Sequence, residues 1–259
     1  EAFEASCADA GERLKVVSMP QVGNLDGVEI PIKEVAKVAH DHGALMAVDA
    51  AQSAPHMSLD VQDLGADFIA FSVHKMLGPS GMGALWGRHE LLDGLRTLSA
   101  GGDTVQWSEY DGMEWLSTPH RFEGGLDNYA GILGTGAAVE YLNNMNMNDI
   151  HEHEIRLNGL MSRGIEDLEG LSIIGPRDAR QRGGICSIMV DGFDAHELAI
   201  LFDESANVMM RSGMHCVHSW FRQRGYEEGS LRSSFYFYNT EGEVKFVVDT
   251  MQEVHAALF

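Results

Sequence analysis

Phe68-Ile69-Ala70-Phe71-Ser72-Val73-His74-Lys75-Met76-Leu77-Gly78 runs from an unbroken apolar segment into a lysine and then a Gly-Pro-Ser-Gly turn. Four consecutive apolar residues bounded by turn residues read as a buried strand. The chain has only five lysines, so one at a strand end stands out. Partial desolvation there favours the neutral amine, the state a Schiff-base nucleophile needs. Read alone, Lys75 is equally a strand-end group reaching solvent. A second apolar run, Ala44-Leu45-Met46-Ala47-Val48, ends in Asp49, 26 positions before Lys75. Strands ending at Asp49 and Ser72, alternating with helical segments, predict a mostly parallel sheet covered on both faces. Ligands of such sheets sit at the carboxyl ends of the strands.

Outward from these strands, the pattern predicts a helix over Phe3–Leu14 and a short strand at Val16–Met19. A turn-rich loop follows, Gln21-Val22-Gly23-Asn24-Leu25-Asp26-Gly27. Pro31 opens a helix whose apolar side is Val35, Ala36, Val38 and Ala39, with Gly43 as its stop. A short amphipathic piece lies around Val61–Leu64, and another strand is predicted at Gly83–Gly87. Residues 94–120 read as one long loop, a feature that in compact domains is commonly functional. Helices are predicted over Asn128–Leu142, whose small residues suggest close packing, and over Asn148–Leu168. Beyond them come strands at Ile185–Val190, Val208–Met210 and Leu231–Tyr238. Helices are predicted over Ala195–Glu204 and from Glu243 onward. The expected division is a large domain over 1–147 and a smaller α+β domain over 148–259.

Composition narrows the function. The 259 residues are 44% hydrophobic, enough for a sizeable core. No apolar run reaches membrane-spanning length, and Glu1-Ala2-Phe3-Glu4 is no apolar leader. A net charge of −21 argues against nucleic acid or an anionic membrane as partner. The three cysteines, Cys7, Cys186 and Cys216, form neither a disulfide framework nor a zinc pattern. A reducing, cytoplasmic setting fits them. His151-Glu152-His153-Glu154 reads as a solvated helix face, and no metal is expected.

A strand ending in an acid, followed by one ending near a lysine, is the layout of a pyridoxal phosphate site, where the acid partners the pyridinium nitrogen. Val48-Asp49-Ala50-Ala51-Gln52-Ser53-Ala54-Pro55-His56, followed by Phe71-Ser72-Val73-His74-Lys75, resembles the class V aminotransferases. Within them the similarity is to the group II, SUF-type cysteine desulfurases, with selenocysteine lyases close by. It runs over nearly the whole chain. It implies the fold of the fold type I pyridoxal phosphate transferases: a mostly parallel large domain and a smaller C-terminal α+β domain.

The resemblance also implies roles. Lys75 would hold the cofactor aldehyde and Asp49 the ring nitrogen. Gln52 and Asn24 would serve the phenolic edge, and Ser72 and His74 the phosphate. Cys216, in Arg211-Ser212-Gly213-Met214-His215-Cys216, matches the loop whose thiolate takes sulfur from substrate cysteine, leaving a persulfide and alanine. Neighbouring imidazole and guanidinium groups are expected to favour that thiolate. Arg232 matches the arginine that clamps the substrate carboxylate, a task its planar fork suits, with Arg211 nearby. Cys7 and Cys186 lie in apolar elements and read as structural.

The same resemblance implies a homodimer, a sulfur-acceptor protein and a place in iron–sulfur cluster assembly. Near alternatives are a selenocysteine lyase or an amino-acid aminotransferase, and a more distant one is a non-catalytic binding scaffold. Leu126 and Asp127 depart from the family, which usually has threonine and proline there in a loop that meets the partner's phosphate. The loss of that hydroxyl is expected to weaken phosphate binding. Val217-His218-Ser219-Trp220-Phe221 also departs from the usual Ala and Pro. The family's N-terminal arm, first phosphate loop and ring-stacking aromatic have no counterpart in the chain. Expressed by itself, the chain is therefore expected to bind the cofactor weakly and to associate through uncovered apolar surface.

Overall fold

The computed structural model describes residues 1–258. It divides into two compact units. The first holds residues 1–20, 31–55 and 59–144, and the second holds 21–30, 56–58 and the chain from Met145 onward. Two short segments thus leave the 1–147 and 148–259 division expected from sequence, and one of them carries Asn24.

The first unit is built on the sheet β1 (Val16–Pro20), β2 (Leu45–Asp49), β3 (Phe68–Ser72) and β4 (Gly83–Gly87), in that spatial order. The first three strands are parallel and β4 is antiparallel to β3. Helix α1 (Ala2–Ala10) buries Cys7 and gives way to a 3-10 turn, Gly11–Arg13, so the helix expected to Leu14 stops earlier. Helix α2 (Ile32–Asp41) begins after Pro31 and buries Ile32, Val35, Ala36 and Ala39. This i, i+3, i+4, i+7 stripe packs on β1 and β2.

Asp67 fixes the start of β3. Its buried carboxylate accepts from Met46 N at 2.7 Å, the His40 ring at 2.8 Å and Arg88 at 3.2 Å. Burial pushes this carboxyl up, but those three donors together hold it below the usual carboxylate range. The piece around Val61–Leu64 is a set of turns, Asp60 Oδ1 accepting from Gln62 and Asp63 N–H.

Residues 94–120 are not one loop. After α3 (His89–Gly94) they form a two-stranded ribbon, β5 (Val105–Ser108) and β6 (Met113–Trp115). Polar residues interleaved with exposed aromatics hide the period-two signal. Helix α4 (Tyr129–Asn144) packs against the segment that follows Lys75. A Cβ at Gly131 would stand 2.4 Å from Met82 Sδ, so the small residues do serve close approach.

The second unit is an antiparallel sheet, β7 (Leu171–Ile173), β8 (Ile185–Val190), β10 (Ser230–Ser234) and β9 (Arg211–Gly213), in that order. Helices α5 (Met147–Ile165), α6 (Ala195–Ala206), α7 (His218–Arg224) and α8 (Glu241–Leu258) accompany it. Leu157, Met161, Cys186, Ile188, Phe202, Leu231, Val248 and Met251 form its core. Asp194 caps α6 by accepting from His196 and Glu197 N–H, and Asn207 closes it in the left-handed conformation. The strand expected at Val208–Met210 lies three residues later, because those residues are the exit from α6. β10 ends at Ser234, short of Tyr238.

Glu154 does not lie on a solvated face. It is fully buried and meets His56 Nδ1 at 2.8 Å. Burial raises its carboxyl pKa against the opposing effect of His56.

Candidate active site

Two groups of predicted residues come together, one in each unit. In the first, Asp49 is the last residue of β2 and pairs in register with Ala70 of β3. Its Oδ1 accepts from Ala51 N at 2.9 Å, and its other oxygen has no partner among the described residues. Ala50 N donates to Ala70 O at 2.8 Å, holding the two strand ends side by side. Gln52 lies in the turn just beyond.

Ser72 is the last residue of β3, and the chain then enters the 3-10 turn Val73–Met76. Buried Val73 and Met76 anchor this turn, leaving His74 exposed and Lys75 half-buried between them. Leu77 leaves it in the left-handed region, φ 66°, and Gly78 N returns to Val73 O at 3.1 Å. Carboxylate, amide, hydroxyl, imidazole and amine are thereby gathered on two adjacent strand ends. This is the edge where parallel sheets hold ligands.

In the second unit, β9 and β10 place Arg211 directly opposite Arg232. Like charges facing each other across a ladder are destabilising. Neither guanidinium has an ion pair among the described residues. Burial disfavours the charge on Arg232, and Arg211 adds to this, while Cys216 opposes it. Arg232 Nη1 donates to Asn24 O at 2.7 Å, and its buried Nε has no hydrogen-bond partner among the described residues. Such a pair can take an anionic group in a bidentate grip.

Cys216 is exposed, and Arg211 Nη2 stands 3.8 Å from its Sγ. The loop is held in a costly conformation, with His215 at φ 45° and Cys216 at φ 65°. Two residues hold it there, Asn24 and Ser230. Asn24 Nδ2 donates to His215 O at 3.0 Å, and the buried His215 ring meets Ser230 O and Oγ at 3.0 Å each. Burial lowers the His215 pKa to about 4, with Arg232 and Arg211 adding to the effect and the Ser230 carbonyl opposing it. The ring is therefore neutral near pH 7. Arg211 supplies the positive charge at the sulfur. Ser230, which sets the ring's place, has no sequence signature. Cys7 and Cys186 are buried.

Arg121 clamps the end of α3, donating to Leu92 O, Asp93 O and Leu95 O at 2.7, 2.8 and 3.2 Å. Leu126 is 81% exposed. Among the described residues, no helix is long and apolar enough to cross a membrane.

Residues 4–247 match the family model described as Aminotransferase class-V. A probable cysteine desulfurase of Streptomyces coelicolor is 38% identical over 94% of this chain and 58% of its own length. A cysteine desulfurase of Haloferax volcanii is 37% identical over 92% of this chain and 55% of its own length. Among solved structures, the apo cysteine desulfurase of Thermococcus onnurineus superposes with a TM-score of 0.92 at 34% identity, covering 98% of this chain and 63% of that one. The chain therefore spans less than two thirds of the length of these relatives.

Proposed function

From a chain that belongs to the class V aminotransferase family, we propose a pyridoxal phosphate-dependent cysteine desulfurase, converting L-cysteine to L-alanine and leaving a persulfide on Cys216. The carrying observation is the arginine pair, Arg211 opposite Arg232, without a carboxylate partner among the described residues and with an exposed cysteine on the same loop. An amino acid with a nucleophilically accessible sulfur is the substrate these groups suit.

The residues at the strand ends fit the cofactor. Asp49 keeps one carboxylate oxygen without a partner, as needed to accept from a pyridinium N–H. Gln52 suits the phenolic oxygen, Ser72 and His74 offer donors to a phosphate, and Lys75 supplies the amine for the aldehyde. Pyridoxal phosphate, when bound, withdraws electrons from the substrate α-carbon. Lys75 Nζ is the base that moves the α-proton. Arg232 orients the substrate carboxylate, with Arg211 beside it.

Cys216 Sγ attacks the substrate sulfur as a thiolate. A sulfur–sulfur bond forms, the carbon–sulfur bond breaks with its electron pair left on carbon, and a proton completes alanine. Arg211 Nη2, 3.8 Å away, faces Sγ as it attacks. Asn24 joins this loop to Arg232.

A homodimer accords with the uncovered apolar face of α4, where Ile132 and Leu133 are 48% and 75% exposed. Free thiols at all three cysteines accord with a cytoplasmic setting. Transfer of the persulfide sulfur to an acceptor protein for iron–sulfur cluster assembly completes the reading. The deciding experiment supplies cysteine to the cofactor-loaded protein and assays alanine. Release of a keto acid in its place would redirect the reading to an aminotransferase.

A further inference from the structure

A chain with 39 acidic and 18 basic side chains has carboxylates to spare for every cation. One concavity runs against this excess. It lies in the second unit, has a volume of about 430 Å³, and is lined by Arg156 and Arg163 of α5 and by Arg177 and Arg180 of the loop before β8. Arg156 pairs with Glu241 at 3.2 Å. Among the described residues, Arg163, Arg177 and Arg180 have no ion pair. Glu152, Glu166 and Asp178 line the same space without approaching the guanidiniums within bridging distance. Asp178 Oδ1 instead accepts from Arg180 N at 3.0 Å.

A second observation comes from beneath the wall. Ser162, which also lines the concavity, is 3% exposed. Its Oγ accepts from Arg182 Nη2 at 2.6 Å and donates to Asn158 Oδ1 at 3.2 Å. Arg182 is the largest fully buried side chain among the described residues, at 0% exposure. It has no carboxylate partner among the described residues, and its Nε and Nη1 have no hydrogen-bond partner. Burying a guanidinium without a counter-charge is costly. A multiply charged anion held over Ser162 offsets that cost.

We propose that this concavity is a binding site for a compact oligophosphate of two or three phosphoryl groups. Guanidinium forks match phosphate oxygens in pairs, and three of them here lack other partners. The ligand must carry several charges, because three carboxylates share the lining. Only Ile155, Gly159 and Ala179 are uncharged and apolar there, so no aromatic ring offers a base a stacking platform. The volume falls within the range of small-ligand pockets. None of these residues belongs to the two groups assigned to desulfuration.

Calorimetric titration of the 259-residue chain with sodium tripolyphosphate tests this. Saturable binding at one site is expected, weakening as salt is added. The Arg163→Gln, Arg180→Gln double variant should lose at least about tenfold in affinity, about 1.4 kcal/mol. Both side chains are exposed, so the thermal transition without ligand should hold. Arg177→Gln, as a separate variant, must also weaken binding. Arg211→Gln should leave it unchanged; loss there instead would assign the anion to the Cys216 loop and overturn the proposal. It is equally overturned by absence of saturable binding, by equal affinity in the double variant, or by tighter binding of an aspartate-rich peptide.

Discussion

Arg232 donates from Nη1 to the carbonyl of Asn24 at 2.7 Å, joining residues 208 positions apart in sequence. The side chain of Asn24 simultaneously donates to His215 O, next to Cys216. One residue of the 21–30 segment thus sets both a guanidinium and the thiol loop. Arg232→Lys removes the bidentate fork while keeping the charge. Amino-acid affinity should fall about tenfold or more, with the cofactor absorbance unchanged. Equal affinity in a substrate titration would return Arg232 to a purely structural role.

Lys75→Ala should abolish the borohydride-reducible visible band of the cofactor-loaded protein, because no other lysine is on the strand ends that carry Asp49 and Ser72. Peptide mapping after reduction of the wild type should find the adduct on Lys75. A reducible band of normal intensity in the variant would move the attachment elsewhere.

Cys216→Ser should keep the cofactor spectrum and lose alanine formation from cysteine by several orders of magnitude, since a hydroxyl does not carry the transferred sulfur. Undiminished alanine release would remove Cys216 from the chemistry.

His215 gives a pH signature with a definite sign. Its pKa lies at about 4 in the folded protein against an ordinary 6.5. The unfolded chain therefore takes up a proton near pH 6.5 that the native chain refuses until about pH 4. Its contribution to stability is complete above pH 6.5 and declines as pH falls to about 4, by at most about 1.4 kcal/mol per pH unit. Glu154, raised by burial, acts in the opposite direction, so the readout is the difference between wild type and His215→Gln. Denaturant midpoints across pH 4–7 should converge toward acid. Direct NMR titration should find the His215 ring still neutral at pH 5.5; a midpoint near 6.5 would contradict its burial.

Gly27→Ala should destabilise the second unit by more than about 1 kcal/mol. Gly27 has φ 68°, and an added Cβ would fall 2.0 Å from Arg182 O. The displaced segment carries Asn24, so the effect of Cys216→Ser on activity should be partly mimicked. Urea midpoints that match the wild type would show the segment to be freely adjustable.

The strands ending at Asp49 and Ser72 were legible because buried parallel strands read as unbroken apolar runs, a signal carried by the residues themselves. α2 was legible through Pro31 and a clear stripe. The β5–β6 ribbon was not, since Trp107 and Met113 face outward and no alternation survives. Glu154 was misplaced because its burial depends on His56, 98 positions away. Among the site residues, Cys216, Arg211 and Arg232 were legible through the resemblance of their stretches to the family's cysteine loop and carboxylate-binding arginine. The inward-turned His215 ring did not, because Ser230 decides it through a long-range bond that leaves no local trace.

The 21–30 segment has a further consequence, for the order of events during synthesis. Leu25 packs with Ile174 and Phe221, and Ser187 Oγ bonds its carbonyl. These partners emerge from the ribosome far later. At about 5–20 residues per second, the strip waits roughly 10–40 s before Arg232 is made. Throughout that interval it has only its own turn to close on, Gly23 N–H donating to Val28 O and Ile30 N–H to Gln21 O. The second unit therefore completes only by reaching back across the chain, and a copy cut at Met145 would lack the residue that joins its arginine to its thiol loop.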